Sequence, residues 1–284
     1  MKKNTLAAAL LPLCCFALLA ACGQTTTGQE GTDEGAAGAD GFQRPFRIEE
    51  RLESGSFPAA YTDPETGGEK SYTSVEYGYS LPQLVPSDSA AESLAEAARV
   101  FNDKVEEFYQ LKLGEAAQAA RNDEAIGLEP HEPYSDEIGY QLFYTDSLIS
   151  VQVDFGYYFG GAHPNHASQS WLFDVKNAKF ITPLDLAGDP QAMSAAVAEE
   201  ILRQIDEKQL AENLWPEYPD IAAGWSQEPG ADAAFIHGAG MTITFSPYNL
   251  AAYAWGDQVF EIPLEVYQPL LSDYGLSLLE IGLG

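Results

Sequence analysis

Tyr140-Gln141-Leu142-Phe143-Tyr144-Thr145-Asp146-Ser147-Leu148-Ile149-Ser150-Val151-Gln152-Val153-Asp154-Phe155 is the stretch that decides the fold class. Tyr140, Leu142 and Tyr144, then Ile149, Val151, Val153 and Phe155, alternate with a period of two on either side of Thr145-Asp146-Ser147. That pattern reads as two strands joined by a tight turn. A second hairpin follows, from Trp171, Phe173 and Val175 through Lys176-Asn177-Ala178-Lys179 to Phe180-Ile181.

Upstream, Val75, Tyr77, Tyr79 and Leu81 alternate from Tyr72 and read as a strand ending at Pro82, where the missing amide closes a ladder. Leu94, Ala98, Phe101, Val105, Phe108 and Leu111 recur every three or four residues, the apolar stripe of a helix over about 90–120. Ser87, Asp88 and Ser89 are its candidate N-caps. Gly127, Pro130 and Pro133 mark a connection. Downstream, Met193, Val197, Ile201, Ile205 and Leu210 predict a helix over about 190–211. Phe235-Ile236, Met241 to Phe245 and Val259 to Ile262 read as short strands, and Leu264 to Leu271 as a closing helix. Strands and helices come in blocks without repeated β-α-β alternation. The expectation is α+β: antiparallel sheets with packed helices in two associated subdomains, over 42–175 and 176–284.

The N-terminus speaks to location. Lys2 and Lys3 precede an apolar run from Leu6 to Leu19, which ends in Leu19-Ala20-Ala21-Cys22. The run is a secretory signal over 1–21, too short for a membrane span. Cysteine directly after Leu-Ala-Ala resembles a bacterial lipobox, which implies acylation of Cys22; the other reading is an ordinary signal with a chance cysteine. The expected place is the cell envelope, lipid-anchored, and the outer membrane facing the periplasm if the host is Gram-negative, since Gly23 rather than Asp follows Cys22. Residues 22–41 are rich in Gly, Thr and Ala without a large apolar residue, and read as a disordered, acidic tether. Its length corresponds to a root-mean-square span of about 24 Å.

The 284 residues carry 43 Asp and Glu against 14 Lys and Arg, a formal charge of −29. Removal of a leader bearing Lys2 and Lys3 makes it more negative still. Such a field repels phosphates and disfavours nucleic acid, while it steers cationic partners inward. An acidic surface also serves solubility or a saline habitat. All three cysteines, Cys14, Cys15 and Cys22, lie at or before the cleavage point, so a folded part without disulfides relies on its core.

Chemistry-bearing motifs are few. Gly160-Gly161-Ala162-His163 follows the aromatic strand Phe155-Gly156-Tyr157-Tyr158-Phe159; the glycines suit a tight turn with or without a ligand. His163 and His166 form an H-x-x-H pair, with Asp154 or Asp174 as further donors, but the spacing supplies two of the three or four ligands zinc needs. No metal and no cofactor are expected. His131 and His237 fall in loops. No G-x-S-x-G, reactive cysteine or H-E-x-x-H occurs, and among so many acids a carboxylate pair carries no information. Tyr248, Tyr253 and Trp255 are either an aromatic recognition patch or core.

Tyr158 to His163, Asp174 in Leu-Phe-Asp-Val-Lys, and Ile181-Thr182-Pro183-Leu184-Asp185-Leu186 together resemble the extracellular module of RsiV-like anti-sigma factors, also seen as the non-catalytic half of PdaC-like peptidoglycan deacetylases. Phe245, Pro247-Tyr248, Tyr253-Ala254, Gly256 and Ile262-Pro263 extend the resemblance over roughly 70–275. Pro164 departs from it, standing where the family commonly has Gly. So does the lipobox, which replaces the family's transmembrane helix and sigma-binding segment. The resemblance implies a non-catalytic envelope sensor that binds lysozyme or another cationic protein. The candidate contact residues are Gly160, Gly161, His163, Tyr253 and Trp255. A cell-wall hydrolase using unidentified carboxylates is the alternative.

Overall fold

A computed structural model describes residues 44–87, 92–227 and 231–281. The leader, Cys22, the tether and the candidate caps Asp88 and Ser89 lie outside them. The chain runs β1 (Phe46–Thr62), β2 (Glu69–Pro86), α1 (Glu92–Ile126), β3 (Tyr134–Tyr144), β4 (Leu148–Tyr158), β5 (Asn165–Asp174), β6 (Lys179–Ile181), α2 (Pro190–Glu207), α3 (Tyr218–Ala223), β7 (Ala233–His237), β8 (Gly240–Phe245), β9 (Gln258–Pro263), α4 (Leu264–Tyr267) and α5 (Asp273–Leu278). β1 to β6 form one sheet in sequence order, and β7 to β9 a second. The fold is α+β with two helix-flanked sheets in two associated subdomains.

All pairings in both sheets are antiparallel except β2 with β3, which run parallel over Val75–Tyr79 and Tyr134–Ile138. The helix α1 forms the crossover between them, so one β-α-β unit sits inside an otherwise antiparallel sheet. The expected end of β2 at Pro82 is corrected: the strand continues to Pro86. Beyond Tyr79 no strand among the described residues pairs it on its β3 side, where Asn102 of α1 serves the Leu84 amide and carbonyl instead, so a proline at 82 costs no ladder bond.

Helix α1 lays Phe101, Val105 and Phe108 against Leu81, Val151, Val153, Trp171 and Phe173. It runs to Ile126 rather than about 120. Its last turns pack through Ala116, Ala119 and Ala120 onto Val75, with Phe57 and Tyr134 alongside. Asp189 caps α2 by accepting from the amides of Gln191 and Ala192, with Pro190 at the first helical position. That helix ends at Glu207, short of the expected 211, because Gln209 turns left-handed at φ +54. Met193, Val197, Ile201 and Ile205 face Ile236, Met241, Ile243 and Phe260. The expected closing helix Leu264–Leu271 is split. Pro269 lies in a short 3₁₀ turn over Gln268–Leu270, and α5 forms after it.

β4 is buried on both faces from Leu148 to Val153. Its odd residues meet α1; its even ones meet the second sheet. There Ser150 and Ser170 hydroxyls accept from the amides of Ile236 (3.0 Å) and Ala234 (2.8 Å), which satisfies the outer edge of β7. The C-terminus closes back onto the β3–β4 turn. Thr145 Oγ1 donates to the Leu278 carbonyl at 2.8 Å, and the Asp146 amide to Glu280 Oε1 at 2.8 Å.

Candidate functional site

Where β4 ends, Gly160 (φ +87) and Gly161 (φ +106) turn the chain through backbone conformations other residues resist. A Cβ on Gly160 would stand 2.9 Å from Tyr134 Oη, so that side chain would have to shift to admit one. Tyr158 Oη donates to the Gly161 carbonyl (3.0 Å) and pins the loop.

The turn delivers His163 onto Tyr253, ring against ring at 3.8 Å between centroids and 21° between planes. Tyr253 Oη donates to the Pro164 carbonyl at 2.5 Å. His163 Nδ1 lies 2.9 Å from that same carbonyl, which only accepts, so the proton sits on Nδ1. Nε2 is left to face Tyr248 Oη at 3.4 Å. The Tyr248 and Tyr253 rings are 5.8 Å apart. Trp255 shares the 3₁₀ turn Tyr253–Trp255, closed by Gly256 at φ +63. The two segments singled out in the sequence, Gly160–His163 and Tyr253–Trp255, thus meet in space although about 90 residues apart. Tyr248 is 56% and Trp255 53% exposed, so neither belongs to the core, while Tyr253 is partly buried.

Tyr248 holds φ +75, a left-handed backbone that costs a non-glycine residue about 1–2 kcal/mol. Its surroundings fix that strain. The Tyr248 amide donates to Ala251 O, and Trp215 Nε1 donates to Tyr248 O at 3.1 Å. Asp232 Oδ2 accepts from the Ser246 amide (2.6 Å) and Asn249 Nδ2 (2.7 Å), clamping both ends of the turn. Sequence reasoning passed over Trp215 and Asp232. The segment around Trp215 has no apolar period, and Asp232 was one acid among 43. A tryptophan flanked by Pro216 in such a segment was the available signal.

Carboxylates border the rings. His166 Nε2 lies 3.0 Å from Asp257 Oδ1. Burial pushes the Asp257 carboxyl above its ordinary value; His166 draws it back, and the charges of Asp154 and Asp232 add to the rise. Asp154 accepts from Ser168 Oγ (2.6 Å) and Gln152 Nε2 (2.8 Å). Asp174, the other donor considered for a histidine site, sits at the far end of β5, held by Asn177 and Tyr274. Among the described residues no group of three or more His, Cys, Asp or Glu is arranged to hold a metal ion. Exposed rings beside partly desolvated carboxylates suit a cationic side chain, which gains attraction from both.

Residues 185–265 match the model of a family described as "Protein of unknown function (DUF3298)". A crystal structure of a DUF3298 family member from Bacteroides fragilis is similar with a TM-score of 0.58 at 12% identity, over 84% of this chain and 100% of that one. A DUF3298 family protein from Pseudomonas aeruginosa gives 0.44 at 15%, over 80% and 96%. The first likeness shows that the two chains share a fold. No curated protein matches.

Proposed function

We propose that this chain is a non-catalytic binding module of the bacterial envelope, tethered by lipid on Cys22, whose aromatic ridge docks a cationic protein. The observation that carries the reading is Tyr248, held exposed on a left-handed turn by Asp232 beside Tyr253, His163 and Trp255. Strain maintained by its surroundings is a mark of working surfaces. A formal charge of −29 supports a basic partner, because attraction reaches over a Debye length of about 8 Å and quickens encounter. The resemblance to RsiV-like modules points to lysozyme as that partner. Occupancy, not bond cleavage, is the mechanism.

Calorimetry with lysozyme and with an unrelated protein of similar positive charge, at low and physiological salt, tests the reading. Lysozyme is expected to bind more tightly than the control and to persist at physiological salt, with Trp255→Ala folded but weakened. Equal binding of both proteins that vanishes at physiological salt would overturn it. Turnover of purified cell wall by the chain would put a hydrolase in its place.

A further inference from the structure

β1 ends the six-stranded sheet. β2 pairs along one side, and among the described residues no strand covers the other. Such an edge turns the N–H and C=O of alternate residues outward, a template for another strand. Beyond Phe57 the template is spoiled by Pro58 and a register shift; before it the pairing with β2 is regular from Phe46.

That regular half reads Arg47-Ile48-Glu49-Glu50-Arg51-Leu52-Glu53. An antiparallel pair of identical strands about a two-fold axis sets one residue opposite its own copy. With Glu50 there, Arg47 meets Glu53, Ile48 meets Leu52 and Glu49 meets Arg51, each twice. Neighbouring registers fail. Centred on Glu49, Arg47 opposes Arg51 and Ile48 opposes Glu50; centred on Arg51, Glu49 opposes Glu53.

The side chains are placed for this. Residues 47, 49, 51 and 53 share one face by alternation. Among the described residues their ion pairs run along their own strand, Arg47 with Glu49 and Arg51 with Glu53, except that Arg51 also bonds Glu106 and lies over the Tyr109 ring on α1. Arg47 and Glu49 side chains are 57% and 48% exposed. On the other face Leu52 is 72% exposed, an apolar side chain that Ile48 of a second copy would cover. Glu50, bonded to Ser80 Oγ at 2.5 Å, is the one like-charge contact on the axis.

We propose that β1 pairs antiparallel with β1 of a second copy of this chain, Glu50 opposite Glu50, joining two six-stranded sheets into one. A contact made through one strand edge is small beside stable interfaces of about 1,200–2,000 Å², so the dimer is expected to be weak.

Sedimentation velocity of the full-length chain in mild detergent, over a concentration series, tests it. The dimer fraction is expected to rise with concentration. Arg47→Glu is expected to weaken association about tenfold, since each cross-strand pair occurs twice. Adding Glu53→Arg is expected to restore it, although within one chain the double substitution sets like charges side by side along β1. Recovery therefore has to come from between copies. Glu50→Gln is expected to tighten the dimer. Far-UV circular dichroism and melting confirm that each variant is folded. A monomer at every concentration would overturn the proposal, and so would a folded double variant that associates no better than Arg47→Glu alone.

Discussion

Replacing Asp232 with alanine removes the acceptor for two donors at once, the Ser246 amide at 2.6 Å and the Asn249 side-chain amide at 2.7 Å. Hydrogen bonds to a charged group contribute about 1.5–3 kcal/mol each, and the Ser246 amide would be left without its partner. Relief of repulsion with Asp257 offsets part of the loss. A net cost of about 3 kcal/mol follows, a fall in melting temperature of about 6–12 °C for a fold of this size. Asp232→Asn keeps an acceptor oxygen but no charge, and is expected to lose about half as much. The turn also carries the strained Tyr248, so hydrogen exchange at residues 246–250 should quicken and the raised titration of Asp257 should move down. Denaturant melts, amide exchange measured by NMR and an NMR pH titration of the Asp257 carboxyl read the three in turn. A cost below about 1 kcal/mol with unchanged exchange would refute the idea that Asp232 holds the ridge in place.

Gly160→Ala meets both a left-handed φ and Tyr134 Oη, and should destabilise by about 1–2 kcal/mol in urea melts; an unchanged midpoint would contradict the geometry. Asp257 is raised in the fold above the 3.8 of a free side chain, so the native state holds its proton more tightly than the unfolded one. Its contribution to stability therefore falls as pH rises from about 4 to the folded value, and is greatest below that window. Asp257→Asn should flatten this slope relative to wild type in melts from pH 3 to 7, and parallel curves would count against the assignment. Cys22→Ala should leave the chain uncleaved or lost from the membrane fraction; unchanged mature mass and fractionation would remove the lipid anchor.

The elements legible in the sequence were those with two-sided or striped burial. β3, β4 and β5 alternate large apolar side chains, and α1 and α2 present theirs every three or four residues. β1 was missed entirely. As an edge strand rich in paired charges, it buries only Phe46 and Ala59 fully, so no apolar period marks it. The last turns of α1 were missed because alanines, not large side chains, make its contact there. At the site, glycines and aromatics stood out by residue type and two separated groups of them do meet. Their exposure did not show, because an aromatic on a loop and one in a core look the same without the backbone around them. Asp232 and Asp257 were hidden for a different reason: their roles come from who faces them, and their partners lie 14 and 17 residues away for Asp232 and 91 for Asp257.

Thr145 finds its acceptor on Leu278, 133 residues later. A ribosome working from the N-terminus therefore makes the β3–β4 turn long before the carbonyl that completes it. Until the final turn of chain emerges, that hydroxyl and the Asp146 amide have to be served by water, and the rim of the first sheet stays open where α5 later closes it. Loss of the last dozen residues would thus leave a chain with most of its secondary structure but a hydrated seam.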